Sequence, residues 1–330
     1  MRAAVHILHS PPYFGERIPA ESSRIYWRDP LSVGPVPATA TLEELSEVRE
    51  AFWDAETPLD RLSRLDMEKA LQSGKWKIPP GMGRRPSMAE RDGQLRAIGD
   101  DSSVTIWAST TRDDTLMLLA LLRFLDSRKR MVSIVPGHRE SHDATWTVTR
   151  EFVEMAREAW DGCTAASPVK LAQIAARSVR SGWFPVERAL ARMLAEYPST
   201  RNGLCPIEKH LLRHASAGWS IAMIVGETMG VADEPVGDDP LFERVWGFLS
   251  DPEPALELTS GASLGDFESK RDFSMSKVRL TDFGRRLLGC KVDYVAVNGV
   301  DRWIGGVHLQ GRDVEWRYDA EAGRLTGPLV

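Results

Sequence analysis

Short apolar runs that alternate with helix signals constrain this chain more than any other feature. Ala3 to Leu8, Val104 to Trp107 and Met131 to Val135 are apolar runs of strand length, and Arg24 to Arg28 alternates around Ile25 and Trp27. Strands that are apolar on both faces belong to a buried, mostly parallel sheet. Between them fall helix starts. Thr41 with Glu44 and Ser87 with Glu90 have the spacing of capping boxes. The first opens a helix through Leu42, Leu45, Val48 and Phe52, and a second helix is expected from about Leu59 to Leu71. Thr110 or Thr111 caps the leucine-rich helix after the third strand, with Asp113 and Asp114 in its first turn, where the helix dipole favours them. A further helix is expected from about Asp143 to Trp160. This alternation predicts an α/β fold whose parallel sheet is covered on both faces by helices.

After about residue 165 the pattern turns helical. Helices are expected from Ser167-Pro168, over Phe184 to Glu196, from Cys205-Pro206 with Ile207, Leu211 and Ala215 on one face, and over Ile221 to Met229. Ala217-Gly218 ends the third of these. Ser260 to Ser276 is polar and contains glycine, which reads as a mobile loop. Val292 to Val297, Trp303 to Leu309 and Val314 to Tyr318 read as strands that form a small antiparallel sheet. A length of 330 residues suits two domains at about 100–200 residues each. The expected division is a Rossmann-like α/β domain over 1–165 and a helical, winged-helix-like domain with C-terminal β-hairpins over 166–330.

Bulk composition excludes several classes. The net charge of -5 provides no global basic field to draw in nucleic acid or an anionic membrane. Three cysteines, Cys163, Cys205 and Cys290, lie far apart, which fits a reducing compartment and no disulfide framework. The first residues lack the pattern of a signal peptide, so a cytoplasmic location is expected. Leu116 to Leu122 is the most apolar stretch, far below the ~20 residues a membrane span needs. The 11 tryptophans are spread along the whole chain and read as packing residues.

Several segments resemble a bacterial family catalogued as the domain of unknown function 1835. They are Trp27-Arg28-Asp29-Pro30-Leu31-Ser32-Val33-Gly34-Pro35-Val36-Pro37 with the following Leu42 to Leu45 helix and Val48-Arg49; Val104 to Trp107 with Asp114; Leu194 to Ser199 through Gly203-Leu204 to Glu208 and Leu211-Leu212; and Leu280-Thr281 and Gly284-Arg285, followed by Asp301 to Leu309. The likeness touches both halves of the chain. It implies architecture and no chemistry, because the family has no established activity. The chain departs from the family pattern in two places. His9-Ser10-Pro11-Pro12 stands where a small-residue and Asp-Ser run is usual, and Ser109 and Thr111 stand where a Glu and an Asp are usual. If relatives use those acids, this chain does not.

In open parallel sheets, ligands bind outside the carboxyl ends of the strands, where strand order reverses. The candidate catalytic residues are therefore His9, Ser10, Asp29, Asp114 and His138, with Arg28, Ser109, Thr110 and Asp113 as ligand contacts and Gly137, Glu140 and His142 beside them. Arg84 and Arg85, in the Gly81-Met82-Gly83 connection near Lys75, Trp76 and Lys77, add a local basic patch that suits an acidic ligand. His138 with His142, and His210 with His214, have helical spacing for a metal. The first pair follows Pro136-Gly137 and reads as loop, the second as a helix flank, so no metal is assigned and no cofactor is named.

Leu204 to Met229 has the outline of a helix-turn-helix, and Leu280 to Arg285 that of the segment before a wing. From Trp219 to Thr259, however, nine acids (Glu227, Asp233, Glu234, Asp238, Asp239, Glu243, Asp251, Glu253, Glu257) face one base, Arg244, so a nucleic-acid role is disfavoured. The leading expectation is an enzyme of hydrolase or transferase type, or a ligand binder, acting on a small molecule at the carboxyl edge of the sheet. The competing one is a non-catalytic regulatory or scaffold protein with a degenerate site. A homo-oligomer is left open.

Overall fold

The computed structural model describes residues 4–9, 18–73, 87–125, 131–136, 146–181, 186–232 and 237–328. Strands β1 (Ala4–Leu8), β2 (Ser23–Tyr26), β3 (Ser103–Ala108) and β4 (Met131–Pro136) form a parallel sheet in the order β2-β1-β3-β4, with the short β5 (Trp146–Thr147) antiparallel at its edge. Helices α1 (Leu42–Asp54), α2 (Pro58–Gln72) and α3 (Met88–Arg96) lie between β2 and β3, and α4 (Arg112–Phe124) lies between β3 and β4. The α/β class expected from the alternation is the observed one.

Handedness decides which face the helices cover. The steps β2 to β3 and β3 to β4 run the same way across the sheet, so their right-handed crossovers fall on one face. That face carries Val5, Ile7, Ile25, Val104, Ile106, Val132 and Ile134, packed with α1, α3, α4 and α5 (Arg150–Thr164) in the first core. The step β1 to β2 runs the other way. On the opposite face the described residues form a small core of Leu8, Ile18, Trp107 and Val135, with Tyr26 against it. Among the described residues no helix packs on this second face.

Thr41 caps α1 in a full capping box with Glu44, Ser87 accepts the Glu90 N–H at the start of α3, and Thr111 caps α4; α2 is capped by Thr57, which is not among the caps expected from sequence. The helix expected from Asp143 starts instead at Arg150 with Thr149 as its cap, because Trp146-Thr147 pairs with Ile134-Ser133. Helices α6 (Val169–Ser181) and α7 (Val186–Ala195) complete the first core.

A second core joins α8 (Pro206–Ala215), α9 (Ile221–Val231), α10 (Asp238–Ser250), the antiparallel pair β6 (Leu256–Leu258) and β7 (Val278–Leu280), α11 (Lys270–Met275) and α12 (Asp282–Leu288). Ser260 to Ser276, expected as a mobile loop, holds α11 and buries Phe267 and Phe273 in this core. Val292 to Val297, expected as a strand, is instead α13 (Tyr294–Asn298), capped by Asp293. Its three valines are β-formers by propensity, but one side-chain cap and packing on the second core decide the conformation. Trp303 to Leu309 is two strands, β8 (Val300–Ile304) and β9 (Val307–Gly311), turned at Gly305-Gly306. The last pair is β10 (Arg317–Asp319) with β11 (Arg324–Thr326).

Core membership does not follow chain order. Leu59 and Leu62 of α2 belong to the second core, while Ile304, Val307 and Leu309 of the late hairpin belong to the first. The hairpin reaches the first core through its turn. The Gly306 N–H donates to the Cys163 carbonyl at 2.9 Å, and a Cβ at Gly306 would lie 1.9 Å from the Thr164 carbonyl oxygen. Gly306→Ala is expected to lower unfolding free energy in urea by about 2 kcal/mol, within the usual overpacking range; unchanged stability would show that the contact yields freely.

Candidate functional site

Strand order reverses between β1 and β3, so the carboxyl edge there is the place where ligands enter open sheets. His9 follows β1 and is half-buried. Its carbonyl accepts the Arg28 N–H at 2.8 Å, and its Nε2 is closed off from solvent with no hydrogen-bond partner among the described residues. The register pairing Leu8 with Trp107 sets His9 beside the start of the Ser109–Thr111 turn.

That turn is internally closed. Thr111 Oγ1 accepts the Asp114 N–H at 3.2 Å, Asp114 accepts the Ser109 N–H at 2.8 Å and its hydroxyl, and Ser109 Oγ accepts the Thr111 N–H at 3.2 Å. Thr110 is buried, and its carbonyl accepts Arg192 Nη1 from α7 at 3.0 Å. Asp113 reaches across to the loop after β2 and accepts the Ser32 N–H at 2.8 Å.

The loop after β2 is organised by one side chain. Asp29 is 1% exposed, and Arg49 on α1 is 0% exposed. Arg49 donates Nε to both Asp29 oxygens at 3.1 Å and Nη2 to Oδ1 at 2.8 Å. Its remaining donors reach the carbonyls of Pro30 at 3.0 Å, Val33 at 2.6 Å and Pro35 at 3.2 Å. Trp53 Nε1 donates to Asp29 Oδ1 at 2.9 Å, and Trp27 Nε1 to the Asp29 carbonyl at 2.8 Å. A second buried cluster stands beside it: Ser46 Oγ donates to Asp92 at 2.6 Å, Arg91 pairs with Asp92, and the Arg91 guanidinium lies 4.1 Å from the Trp27 ring centre. Arg28, between these anchors, is exposed and held at φ 56°. For a non-glycine residue that conformation costs ~1–3 kcal/mol and marks places where the surroundings over-determine the backbone.

No protein-family model matches this chain, and no curated protein matches it.

The fold therefore brings His9, Arg28, Asp29, Ser109, Thr110, Asp113 and Asp114 to one edge. The carboxylates of Asp29, Asp113 and Asp114, candidates for chemistry or ligand contact, are all engaged in holding that edge together. Ser10, His138, Arg84 and Arg85, with Gly137, Glu140 and His142, lie outside the described residues. His210 and His214 sit on one side of α8 with ring centres 6.2 Å apart, and His214 Nδ1 shares a hydrogen bond with Thr228 Oγ1 at 3.0 Å. Among the described residues no group of three or more metal-ligating side chains gathers. Burial pushes the Cys163 and Cys205 thiols up to about 12, so neither supplies a thiolate.

Sequence reasoning did not find the groups that join this edge to the second core. Arg112, the first residue of α4, pairs with Glu196 at 3.1 Å. Arg244 of α10 joins Glu196 at 3.6 Å to Glu208 of α8 at 2.5 Å, and Arg302 of β8 also pairs with Glu208. The Cys205 N–H donates to Glu208 Oε2 at 2.8 Å. Burial alone would raise the Glu208 pKa, but the Arg302 and Arg244 charges and the Cys205 N–H overcome it and hold the carboxyl down at about 2. Glu196 is lowered in the same way, burial being outweighed by Arg112, Arg244 and Arg302. A signal did exist: each of these is a charged residue in or next to an apolar helical stripe or strand.

A carboxylate whose folded pKa lies below its unfolded value stabilises the fold above the unfolded value, and that stabilisation is lost as pH falls through the folded one. Stability to urea is therefore expected to fall between about pH 4.5 and about pH 2, and Glu208→Gln should flatten that part of the profile. An identical acid limb in the variant would contradict the assignment.

Proposed function

We propose that this chain binds a small polar molecule at the carboxyl edge between β1 and β3, with His9 as the ligand-facing group. The observation that carries the reading is the buried Nε2 of His9, which has no hydrogen-bond partner among the described residues, at the point where strand order reverses. Buried polar atoms are nearly always hydrogen-bonded, and each exception asks for an explanation. A ligand atom beside Nε2 is that explanation here. Exposed Arg28, held at positive φ next to His9, supplies a guanidinium at the same edge.

Binding is favoured over acid–base catalysis because the three aspartates of the edge are taken up in structural bonds. At this edge, hydrolase or transferase chemistry by a described residue would fall to His9. The competing reading, a regulatory or scaffold protein, is favoured by the same engagement of the carboxylates and differs in leaving His9 without a ligand. A nucleic-acid role stays disfavoured. The exposed side of α9 carries Met223, Gly226, Glu227, Met229 and Gly230 and no base, and Arg244 turns inward to Glu208.

The resemblance to the domain of unknown function 1835 belongs to this proposal. The Trp27 to Pro37 segment and Arg49, which carry part of it, are the residues that build the edge. A cytoplasmic location is proposed on the three cysteines being free thiols. Among the described residues no helix is long and apolar enough to cross a membrane.

The test is a thermal-shift panel of nucleotides, sugar phosphates and small carboxylates on the unaltered chain and on His9→Leu. At least one compound should stabilise the unaltered chain saturably, by about 2.7 kcal/mol at 100 times its Kd. His9→Leu should lose that response while its ligand-free stability rises by ~1 kcal/mol, because an unsatisfied buried group is removed. A panel with no saturable response, or an equal response in His9→Leu, contradicts the proposal.

A further inference from the structure

We propose that a row of polar side chains crossing the second face of the sheet, Arg24, His6, Thr105 and Ser133, is a separate binding site for a small molecule bearing an oxyanion. The strand register pairs Arg24 with His6, His6 with Thr105, and Thr105 with Ser133, so the four stand side by side at one level of four adjacent strands. Neighbours in such a row are about 4.8 Å apart. All four share the face of Leu8 and Trp107. The next level on that face is apolar: Tyr26, Leu8, Trp107 and Val135.

Parallel strands bury both faces and normally read as continuous apolar runs. Here each of the four strands places one polar residue at the same level, while the opposite face of the same strands is sealed by valines and isoleucines. Arg24, Thr105 and Ser133 are half-buried, and His6 between Arg24 and Thr105 is buried at 9% exposed. The groups still available are donors. His6 Nδ1 accepts the Trp107 indole N–H at 3.0 Å, so Nε2 carries the ring proton; burial and the Arg24 charge lower the His6 pKa and favour this neutral form. Arg24 donates one Nη2 bond to the Ile18 carbonyl at 3.0 Å. The Thr105 and Ser133 hydroxyls have no hydrogen-bond partner among the described residues. One guanidinium, one imidazole N–H and two hydroxyls, with no carboxylate in the row, match the acceptor oxygens of a phosphate, sulfate or carboxylate group. A cation would meet Arg24 and find few acceptors.

This site lies on the face of the sheet opposite the core of valines and isoleucines, and His9 is not part of it. The experiment is a titration of the ¹⁵N-labelled chain with inorganic phosphate, sulfate and acetate at constant ionic strength. The readout is the Trp107 indole N–H resonance, assigned with Trp107→Phe. The proposal expects a saturable shift with at least one anion, an apparent Kd at least tenfold weaker in Arg24→Gln and severalfold weaker in Thr105→Val, and an unchanged response in His9→Leu. If Arg24→Gln does not fold, Thr105→Val combined with Ser133→Ala carries the decision. No saturable shift with any of the three anions, or unchanged binding in the row variants, overturns it. Loss of the response in His9→Leu alone would overturn the separateness of the two sites.

Discussion

A guanidinium with no access to water holds the edge on which the functional reading depends. The chain that leaves β2 contains Pro30, Pro35 and Pro37, which have no N–H to give. Its carbonyls need donors from elsewhere, because a buried and unpaired backbone group is costly. Arg49 supplies them. One side chain answers the carbonyls of Pro30, Val33 and Pro35 and the carboxylate of Asp29, and its charge is balanced by Asp29 within the same cavity of bonds. Such a pair adds little over a well-packed apolar core, yet removing one partner leaves a buried charge at a cost of ~3–5 kcal/mol. The pair therefore acts as a specificity device: it fixes one conformation for a loop that secondary structure does not fix.

The edge so formed is tied to both cores. The Val36 N–H donates to the Gly305 carbonyl at 2.8 Å, which brings the loop onto the late hairpin, and the same turn sits against Cys163 and Thr164 of α5. Arg112 and Arg192 fasten the start of α4 to Glu196 and α7. Through Arg244 and Arg302 the charges continue to Glu208 in the second core. A ligand at His9 would thus contact a piece of structure whose neighbours extend through the molecule, a suitable arrangement for either a binder or a scaffold.

Much of the architecture was legible in residue order, since strand runs and side-chain caps are local signals. Thr41 and Thr111 mark their helices because a hydroxyl two or three residues ahead of an orphan N–H is sufficient cause. What was not legible is non-local. Val292 to Val297 looks like a strand until Asp293 is seen to cap it, and Trp146-Thr147 becomes a strand only because β4 lies beside it. At the edge, the placement of His9, Arg28, Asp29 and Ser109 to Asp114 followed from the strand-end rule. The engagement of the aspartates did not, because it depends on an arginine twenty residues downstream of Asp29. Arg49 could have been noticed: it lies four residues after Leu45 and seven after Leu42, on the apolar stripe of α1.

Amide hydrogen exchange on Arg49→Met tests the central claim most directly. In the unaltered chain the N–H groups of Ser32 and Val36, bonded to Asp113 and Gly305, should be protected. In the variant they should exchange far faster, while amides within β1 and β3 keep their protection. If Ser32 and Val36 stay as protected as before, the buried arginine does not hold this edge, and the account of the site built on it is wrong.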